Sequence, residues 1–472
     1  MKNVVFYILA LWGLTSIAQN KQVLYGLEEV PQSLLLNPGV TVPQKAHFGI
    51  PFLSQLHVNG GASGVSTFDI FGDTGENINT KIRNKIFEMK NTDFFTATQQ
   101  LEIINFGWRS KKEIYFSGGI YQEFDFISYF PRDLAILAWE GNRDYIDYEF
   151  DLGEISTTGD LTVVYHFGVN KKINDKLTAG VRAKLYSSML SYRSTNNKGS
   201  FITRFGDVDS PNIYEHTVQN AEITVETSGI ASLSDLDGAS QVTSEVLGRA
   251  FFGGNIGIGF DIGGTYEITN RLEASASALD IGAIFHSNDV ETYQVTGDYT
   301  LNGIELIFPP LINGEGTLPY YDDLEDEIER EIPVDTIVKK YTQFRPLKLN
   351  GSLKYSFGRV VGGSGECDCM NMGGGLDRNQ AVGVQVYSIF RPKGPQTAAT
   401  LFYYRRLWDF LSAKATYTAD SYSFSNVGLG IVGDFGKFNF YVAADNVIKY
   451  GNIAKAKSVS LQLGINIKIA EQ

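Results

Sequence analysis

The chain has 472 residues, a formal net charge of −13 and a mean hydropathy of −0.11. An acidic chain is repelled by phosphate backbones, so we exclude nucleic acid as a partner, and two cysteines cannot form a disulfide framework. The content of 25 Tyr, 31 Phe and 49 Gly favours β-strands and tight turns over helices.

Residues 1–18 have the layout of a cleaved secretory signal peptide. Lys2 precedes an apolar stretch, and Ser16 and Ala18 are small residues at the positions that signal peptidase requires. A retained anchor helix is the alternative, but the apolar stretch is short for a bilayer. We therefore predict export, with Gln19 as the first mature residue.

After the signal peptide, alternation of apolar and polar residues predicts β-strands along the chain. Every second residue from Val459 to Ile469 is apolar, and the residues between them are small or polar. A strand separates these two sets onto opposite faces, whereas a helix would mix them. In an upstream run, Arg182 and Lys184 share one face, which we expect to face a lumen because charges cannot face lipid cheaply.

The alternation predicts an all-β fold, a transmembrane antiparallel β-barrel of about fourteen strands that occupies residues 46–472. An even strand number is typical of single-chain bacterial barrels and places both termini on one side. The predicted strands are 55–69, 98–108, 112–123, 160–170, 176–188, 252–267, 272–285, 345–358, 380–390, 397–406, 411–419, 424–434, 437–446 and 457–469.

The connections between these strands are short on one side and long on the other. This asymmetry is typical of outer-membrane barrels, which have short periplasmic turns and long extracellular loops. One connection, near 359–379, is long although it falls on the periplasmic side. The predicted external loops are about 70–97, 124–159, 189–251 and 286–344.

Aromatic residues lie beside the predicted periplasmic turns, as in the interfacial girdles of membrane barrels. The alternative is that they close the ends of a soluble barrel or sandwich, but the long last strand and the loop asymmetry favour a membrane protein. We predict the outer membrane of a Gram-negative bacterium, with its lipids and lipopolysaccharide as partners. The aromatic residues are Phe106, Trp108, Trp408, Phe410, Phe435 and Phe438.

A dense acidic run lies in the last predicted external loop. It forms either a solvated lobe or a site for divalent cations, which would bind calcium or bridge to lipopolysaccharide. Its spacing lacks the glycine and ligand ladder of an EF-hand. The run comprises Asp322, Asp323, Glu325, Asp326, Glu327, Glu329 and Glu331, of which the first four are the candidate cation ligands.

Cys367 and Cys369 lie near Met370 and Met372 in a glycine-rich stretch. A soft-metal site, a disulfide-like staple and a flexible loop are the alternatives. Two cysteines supply half a ligand set and no histidine is near, so we predict no metal.

Gly428, Gly430 and Gly433 match the dinucleotide-binding motif by letter. The motif requires a helix after the glycines, whereas a predicted strand follows here. We expect these glycines to make room for a close neighbour or a plug. The five histidines have no metal spacing and no G-x-S-x-G sequence is present, so we predict neither an enzyme nor a cofactor.

Residues 31–39, which read PQSLLLNPG, and the Gly49-Ile50-Pro51 sequence that follows them resemble an uncharacterised outer-membrane family of the Bacteroidota, a domain of unknown function. The family opens with Q-S-x-x-x-N-P-[AG] and continues with a G-[IL]-P strand. The resemblance implies a barrel similar to the long-chain fatty-acid transporters and to barrels that accompany the type IX secretion and gliding machinery, without ligand residues that could be carried over. The matching stretches are 31–39, 47–51, 66–69, 131–134, 141–142, 174–180, 184–185 and 444–447.

The segment before the barrel, residues 19–45, is similar to the stretch that contributes to the lumen plug of fatty-acid transporters. We predict that it lies in or under the barrel, with Asn37, Pro38 and Gly39 making a fixed turn. The alternative is a disordered leader.

The function that we predict is passive transport of a hydrophobic or small amphipathic ligand. The alternative is a scaffold that does not transport and that docks a protein partner of a secretion, gliding or surface-assembly machinery. The mixed polarity of the glycine-rich strand faces favours the first, and the bulk of the external loops favours the second.

Overall fold

The structure, a computed structural model, describes residues 21–206, 213–234, 236, 238–301, 334–360, 378–420, 422–424 and 426–470. Three predictions lie outside these residues: the signal peptide 1–18, the acidic run with Asp322, Asp323, Glu325 and Asp326, and the loop with Cys367 and Cys369.

The described chain forms one closed antiparallel β-barrel of 14 strands, as the alternation predicts. β1 and β2 both lie between β21 and β3 and act as one interrupted strand, which closes the barrel. β14 and β15 likewise share the neighbour β11. The strands are β1 Gln44–Gly49, β2 Leu56–Ala62, β3 Phe94–Arg109, β4 Ile114–Tyr129, β5 Glu149–Asp151, β6 Thr157–Lys172, β7 Leu177–Ser194, β8 Lys198–Phe205, β9 Tyr214–Ser228, β10 Asn255–Glu267, β11 Leu272–His286, β12 Val290–Leu301, β13 Asp335–Ile337, β14 Tyr341–Phe344, β15 Lys348–Val360, β16 Arg378–Arg391, β17 Gly394–Trp408, β18 Leu411–Ala419, β19 Asn426–Phe435, β20 Phe438–Asp445 and β21 Ser458–Ala470.

The two faces of the wall follow the alternation of the sequence. In β21, Ser458, Ser460 and Gln462 are buried in the lumen, whereas Leu461 and Ile469 are exposed on the outside. Period-two geometry thus gives the barrel an apolar outer face and a polar lumen. Among the described residues, no helix is both long and apolar enough to cross a membrane.

The first barrel strand differs from its prediction. The sequence predicts one strand over 55–69, but the wall begins at Gln44, is interrupted after Gly49 and ends at Ala62. Ser66 then caps a short helix through a capping box with Asp69, because its hydroxyl accepts the Asp69 N–H. Residues 67–69 of the predicted strand therefore belong to this helix.

The two ends of the barrel differ. The turns 110–113, 173–176, 268–271, 409–410 and 436–437 lie at one end, which we call the turn end. At the opposite end, the loop end, β5, β8, β9, β12 and β13 form an extension that joins the wall where β9 pairs with β7. The α-helices are α1 Thr67–Phe71, α2 Ile78–Glu88, α3 Arg132–Glu140, α4 Ala231–Ser234 and α5 Ala239–Gly248.

Aromatic rings gather on the outer face near the turn end. The Trp408 and Phe410 rings stack with centroids 6.0 Å apart, and Phe410 lies 5.1 Å from Phe435. Trp108 stacks on Phe116 at 5.4 Å. Exposed rings at one height of an apolar wall are the arrangement of an interfacial girdle.

Candidate functional site: the lumen

Residues 21–43, which we call the lumen segment, lie inside the barrel. Leu24, Leu27 and Val30 pack with Val432 and Tyr441 of the wall in one buried apolar cluster. A 3-10 helix, Pro31–Leu35, follows, with proline in its first turn, where the missing N–H costs nothing. The segment therefore packs with its own apolar side chains and does not merely pass through the lumen.

The predicted turn Asn37-Pro38-Gly39 lies against Gly180 of β7 and Gly263 of β10, which form what we call the glycine face of the wall. Asn37 Oδ1 accepts the Gly39 N–H at 2.9 Å, which fixes the turn. A Cβ on Gly180 would overlap the carbonyl of Pro38, and a Cβ on Gly263 would overlap Asn37 Oδ1. Glycine is required at these wall positions because the backbone of the segment comes this close.

Two of the glycines that match the dinucleotide-binding motif by letter contact the same segment. A Cβ on Gly428 or Gly430 would meet the Val23 side chain at 2.8 and 2.5 Å, respectively. These glycines lie in strand β19 and leave room for the Val23 side chain of the lumen segment.

Gln32 anchors the segment to the other side of the lumen. Its Nε2 donates to Glu102 Oε2 at 2.9 Å and to Asn466 Oδ1 at 2.8 Å, while Asn466 Nδ2 donates back to Gln32 Oε1 at 2.9 Å. All three side chains are buried. Sequence reasoning missed this contact because the partners lie on strands far apart in the chain.

Arg182 joins the segment to a group of buried charges. Its Nη1 and Nη2 donate to the carbonyls of Leu34 and Leu35, both at 2.9 Å, at the end of the 3-10 helix. Its Nε donates to Asp261 Oδ2 at 2.7 Å. The guanidinium therefore neutralises an acid and satisfies two carbonyl groups of the segment at once.

From Arg182 toward the loop end, the lumen contains a group of paired charges that we call the lumen ion network. Lys184 pairs with Asp261 at 3.0 Å and also with Asp280. Lys348 bridges Asp280 at 2.7 Å and Glu123 at 3.1 Å. Asp280 adopts φ 60° beside a register shift in the β10–β11 pairing. The network comprises Glu123, Arg182, Lys184, Asp261, Asp280, Arg345 and Lys348.

Two cavities lie on the two sides of the lumen segment. The one beside the ion network has a volume of about 50 Å³ and is lined by Lys21 and Leu35 of the segment. The one at the turn end has about 380 Å³ and is lined by Glu28 of the segment and by Arg271 and Lys354 of the wall. Only the second reaches the range of about 300–1,000 Å³ that is usual for small-molecule sites.

The turn-end cavity mixes charged and aromatic groups. Lys354 pairs with Glu28 of the segment and, at 3.0 Å, with Glu273 of the wall. Phe402 and Tyr404 contribute rings to the lining. Such a lining can bind a molecule that has both a polar and an apolar part.

The described residues supply no group of three or more His, Cys, Asp or Glu side chains that could hold a metal ion. The lumen can bind, exclude or admit a solute through packing and charge. Of the candidate residues from the sequence, Asn37, Pro38 and Gly39 lie together against the wall, whereas the acidic candidates fall outside the described residues.

A family of unknown function (DUF5723) matches residues 38–445. No curated protein matches the sequence.

Several solved structures are similar at low identity. The toluene transporter TbuX of Ralstonia pickettii is 11% identical over 97% of this chain and 96% of its own, with a TM-score of 0.40. The toluene transporter TodX of P. putida is 8% identical over 98% and 97%, with a TM-score of 0.38. A FadL homologue of Pseudomonas aeruginosa is 10% identical over 96% and 99%, with a TM-score of 0.40.

Proposed function

The chain belongs to a family of unknown function (DUF5723), and we propose that it is an outer-membrane barrel that passes a small amphipathic ligand, with the lumen segment as its gate. The observation that carries the proposal is that residues 21–43 lie between two cavities, one toward each end of the lumen. In this proposal the turn end faces the periplasm and the loop end faces outward, as the asymmetry of the connections favours.

The lining favours an amphipathic ligand over a purely hydrophobic one. The larger cavity contains the charges of Glu28, Lys354 and Arg271 next to the Phe402 ring. A purely apolar ligand would remove water from these charged groups, including the Lys354–Glu28 ion pair, whereas a polar end group replaces the lost contacts with water. Of the two kinds of ligand predicted from the sequence, hydrophobic and small amphipathic, the lining favours the amphipathic one.

The described contacts that hold the segment are non-covalent. The segment is held by hydrogen bonds, ion pairs and packing, such as Gln32 to Glu102 and Lys354 to Glu28. Contacts of this kind can be exchanged for contacts to water or to a ligand, so the segment can leave its site without disrupting the wall.

Deletion of residues 22–40 tests the gate. We expect the purified variant, in a planar lipid bilayer, to show a single-channel conductance well above that of the full chain, because the half of the lumen next to the turn end is emptied. Equal conductance in the two chains would contradict the gate.

A reversible lock provides the matched control. Cysteines at positions 37 and 263 should cross-link, because a Cβ on Gly263 would overlap Asn37 Oδ1. In a background with Cys367→Ser and Cys369→Ser, Asn37→Cys with Gly263→Cys should remain closed when oxidised and regain openings when reduced. The conductance of each single cysteine variant should be the same with and without the oxidant.

The second candidate function is a scaffold for a protein partner. The extension of β5, β8, β9, β12 and β13 favours it, because these strands do not line the lumen between the two cavities. A partner that co-purifies in stoichiometric amounts after mild extraction would support the scaffold. A small amphipathic molecule detected by native mass spectrometry in the same preparation would support transport.

A further inference from the structure

Residues 239–253, which we call the outer-wall segment, pack on the outside of the barrel. The segment contains α5 and an irregular turn, Arg249–Gly253, in which Phe251 and Phe252 leave the helical conformation. Val164 and Tyr186 belong to a buried cluster inside the lumen, so their neighbours Val163 and Ser187 point outward. Val163 is nevertheless buried, because Ala250 of the segment packs on it.

Side chains of the wall satisfy the backbone of the segment. Ser187 Oγ donates to the carbonyl of Arg249 at 2.7 Å and accepts the Phe252 N–H at 3.1 Å. The Tyr165 hydroxyl donates to the carbonyl of Ala250 at 2.9 Å. In hydrocarbon a backbone N–H or C=O group without a hydrogen-bond partner is strongly unfavourable, so an irregular segment can lie there only when the protein supplies such partners.

The outward side of the C-terminal part of the segment, residues 247–252, is apolar and exposed. Phe251 is 76% exposed and Leu247 is 58% exposed. Phe252 stacks on Tyr165 with ring centroids 4.6 Å apart and is itself partly exposed. This surface continues into the apolar outer face of the wall, where Leu185 is exposed.

The height of the contact places it within the membrane. Tyr165 precedes Lys172, the last residue of β6 at the turn end, by seven residues. With a rise of roughly 3.3 Å per residue and a strand tilt of about 40°, Tyr165 lies about 18 Å from the turn end, inside an apolar band about 25 Å tall.

We propose that residues 247–252 insert into the outer leaflet and contact the acyl chains of its lipids. The proposal rests on the outer-membrane location given above. It gives the outward Ser187 a role, because this serine satisfies two backbone groups that the hydrocarbon could not. The occupant of the exposed face is lipid, since the face is continuous with the apolar wall on which the segment is packed.

Spin-label accessibility tests the insertion. Phe251→Cys, in the Cys367→Ser and Cys369→Ser background, is labelled with a nitroxide and reconstituted into phosphatidylcholine vesicles. Collision with oxygen reports hydrocarbon, and collision with a water-soluble nickel chelate reports solvent. Leu185→Cys on the outer wall is the membrane control, and Phe205→Cys in the loop-end extension is the solvent control.

We expect the label at position 251 to match that at 185, with high oxygen and low nickel accessibility. A label at 251 that matches the one at 205, while 185 remains in hydrocarbon, would overturn the insertion but leave the membrane barrel intact. Nickel accessibility at both 185 and 251 would overturn the membrane barrel and the insertion together. Quenching of Phe251→Trp by brominated lipid, with Leu185→Trp as its matched control, provides an independent reading.

Discussion

The half of the lumen toward the turn end, the turn half, and the half toward the loop end, the loop half, are filled in different ways. In the turn half, the lumen segment packs against glycines of the wall, and its backbone accepts hydrogen bonds from side chains such as Arg182 and Asn170. In the loop half, wall side chains meet one another through the ion pairs of Lys184, Asp280 and Lys348.

The difference is between a segment that lies in the lumen and side chains that belong to the wall. Residues 21–43 contribute no strand to the wall, so their displacement breaks no strand pairing. The ion network links strands β4, β7, β10, β11 and β15, so its loss affects the wall itself. The turn half is therefore expected to determine gating, and the loop half stability.

The largest effect should come from Asp280→Ala. The buried Asp280 carboxylate pairs with Lys184 and Lys348, and the removal of one partner of a buried ion pair costs about 3–5 kcal/mol. We expect a decrease of about this size in the free energy of unfolding, measured by urea titration of the barrel in lipid vesicles, without a large rise in conductance.

Glu222→Ala is the matched control for this change. Glu222 pairs with Lys198 at 2.6 Å in the extension, but both side chains are exposed, so the loss should be below about 1 kcal/mol. Equal losses in the two variants would mean that the lumen ion network does not stabilise the wall.

Much of the barrel could be predicted from the sequence, because alternation is a local property. The apolar face of β21 and the lumen face of Arg182 and Lys184 both follow from the period of two. The interruption after Gly49 could not be predicted, since it depends on the pairing of β1 and β2 with β3 and β21.

The lumen site was predictable only in outline. The letters Asn37-Pro38-Gly39 indicate a turn, and the glycines of the wall indicate a close neighbour. That Gly180 and Gly263 receive this particular turn depends on strand register and on long-range contacts. The partners of Gln32 and of Lys184 depend on the same register.

The next largest effect should come from Gly180→Ala, which acts on the turn half. The added methyl group would overlap the Pro38 carbonyl, and such overpacking costs about 1–3 kcal/mol. Because this strain is relieved when the segment leaves, we expect a clear rise in single-channel conductance.

Gly351→Ala is the control, because a Cβ at Gly351 has no described atom within 4 Å. It should leave conductance unchanged. If Gly180→Ala conducts no more than Gly351→Ala, the glycine face does not position the gate.

A smaller effect is expected from Gln32→Ala, which removes the anchor on the other side of the segment. Glu102 and Asn466 would lose a buried hydrogen-bond partner, at a cost of about 1–3 kcal/mol. Water that enters the lumen would replace part of the hydrogen bonds that Glu102 and Asn466 lose. The conductance should therefore rise less than in Gly180→Ala. Gln32→Glu keeps the shape but faces the Glu102 carboxylate, and should open the barrel more than Gln32→Ala does.

The smallest effect concerns pH at the rim of the loop half. Burial raises the pKa of Asp420 to about 6, and the nearby Asp445 carboxylate adds to the shift, although Asp420 accepts N–H bonds from Tyr422 and Ser423. A raised carboxyl pKa contributes stability that is present below its ordinary value of 3.8 and is lost as the pH rises through about 6. We therefore expect the backbone amides of Tyr422 and Ser423 to lose protection from hydrogen exchange by a few-fold between pH 5 and pH 7, after correction for intrinsic exchange. Asp420→Asn keeps an acceptor for both amides but cannot ionise, so its corrected protection should not change over this range. If the wild type and this variant lose protection equally, the titration of Asp420 does not control the rim, and the contrast between the two halves remains one of packing and ion pairs alone.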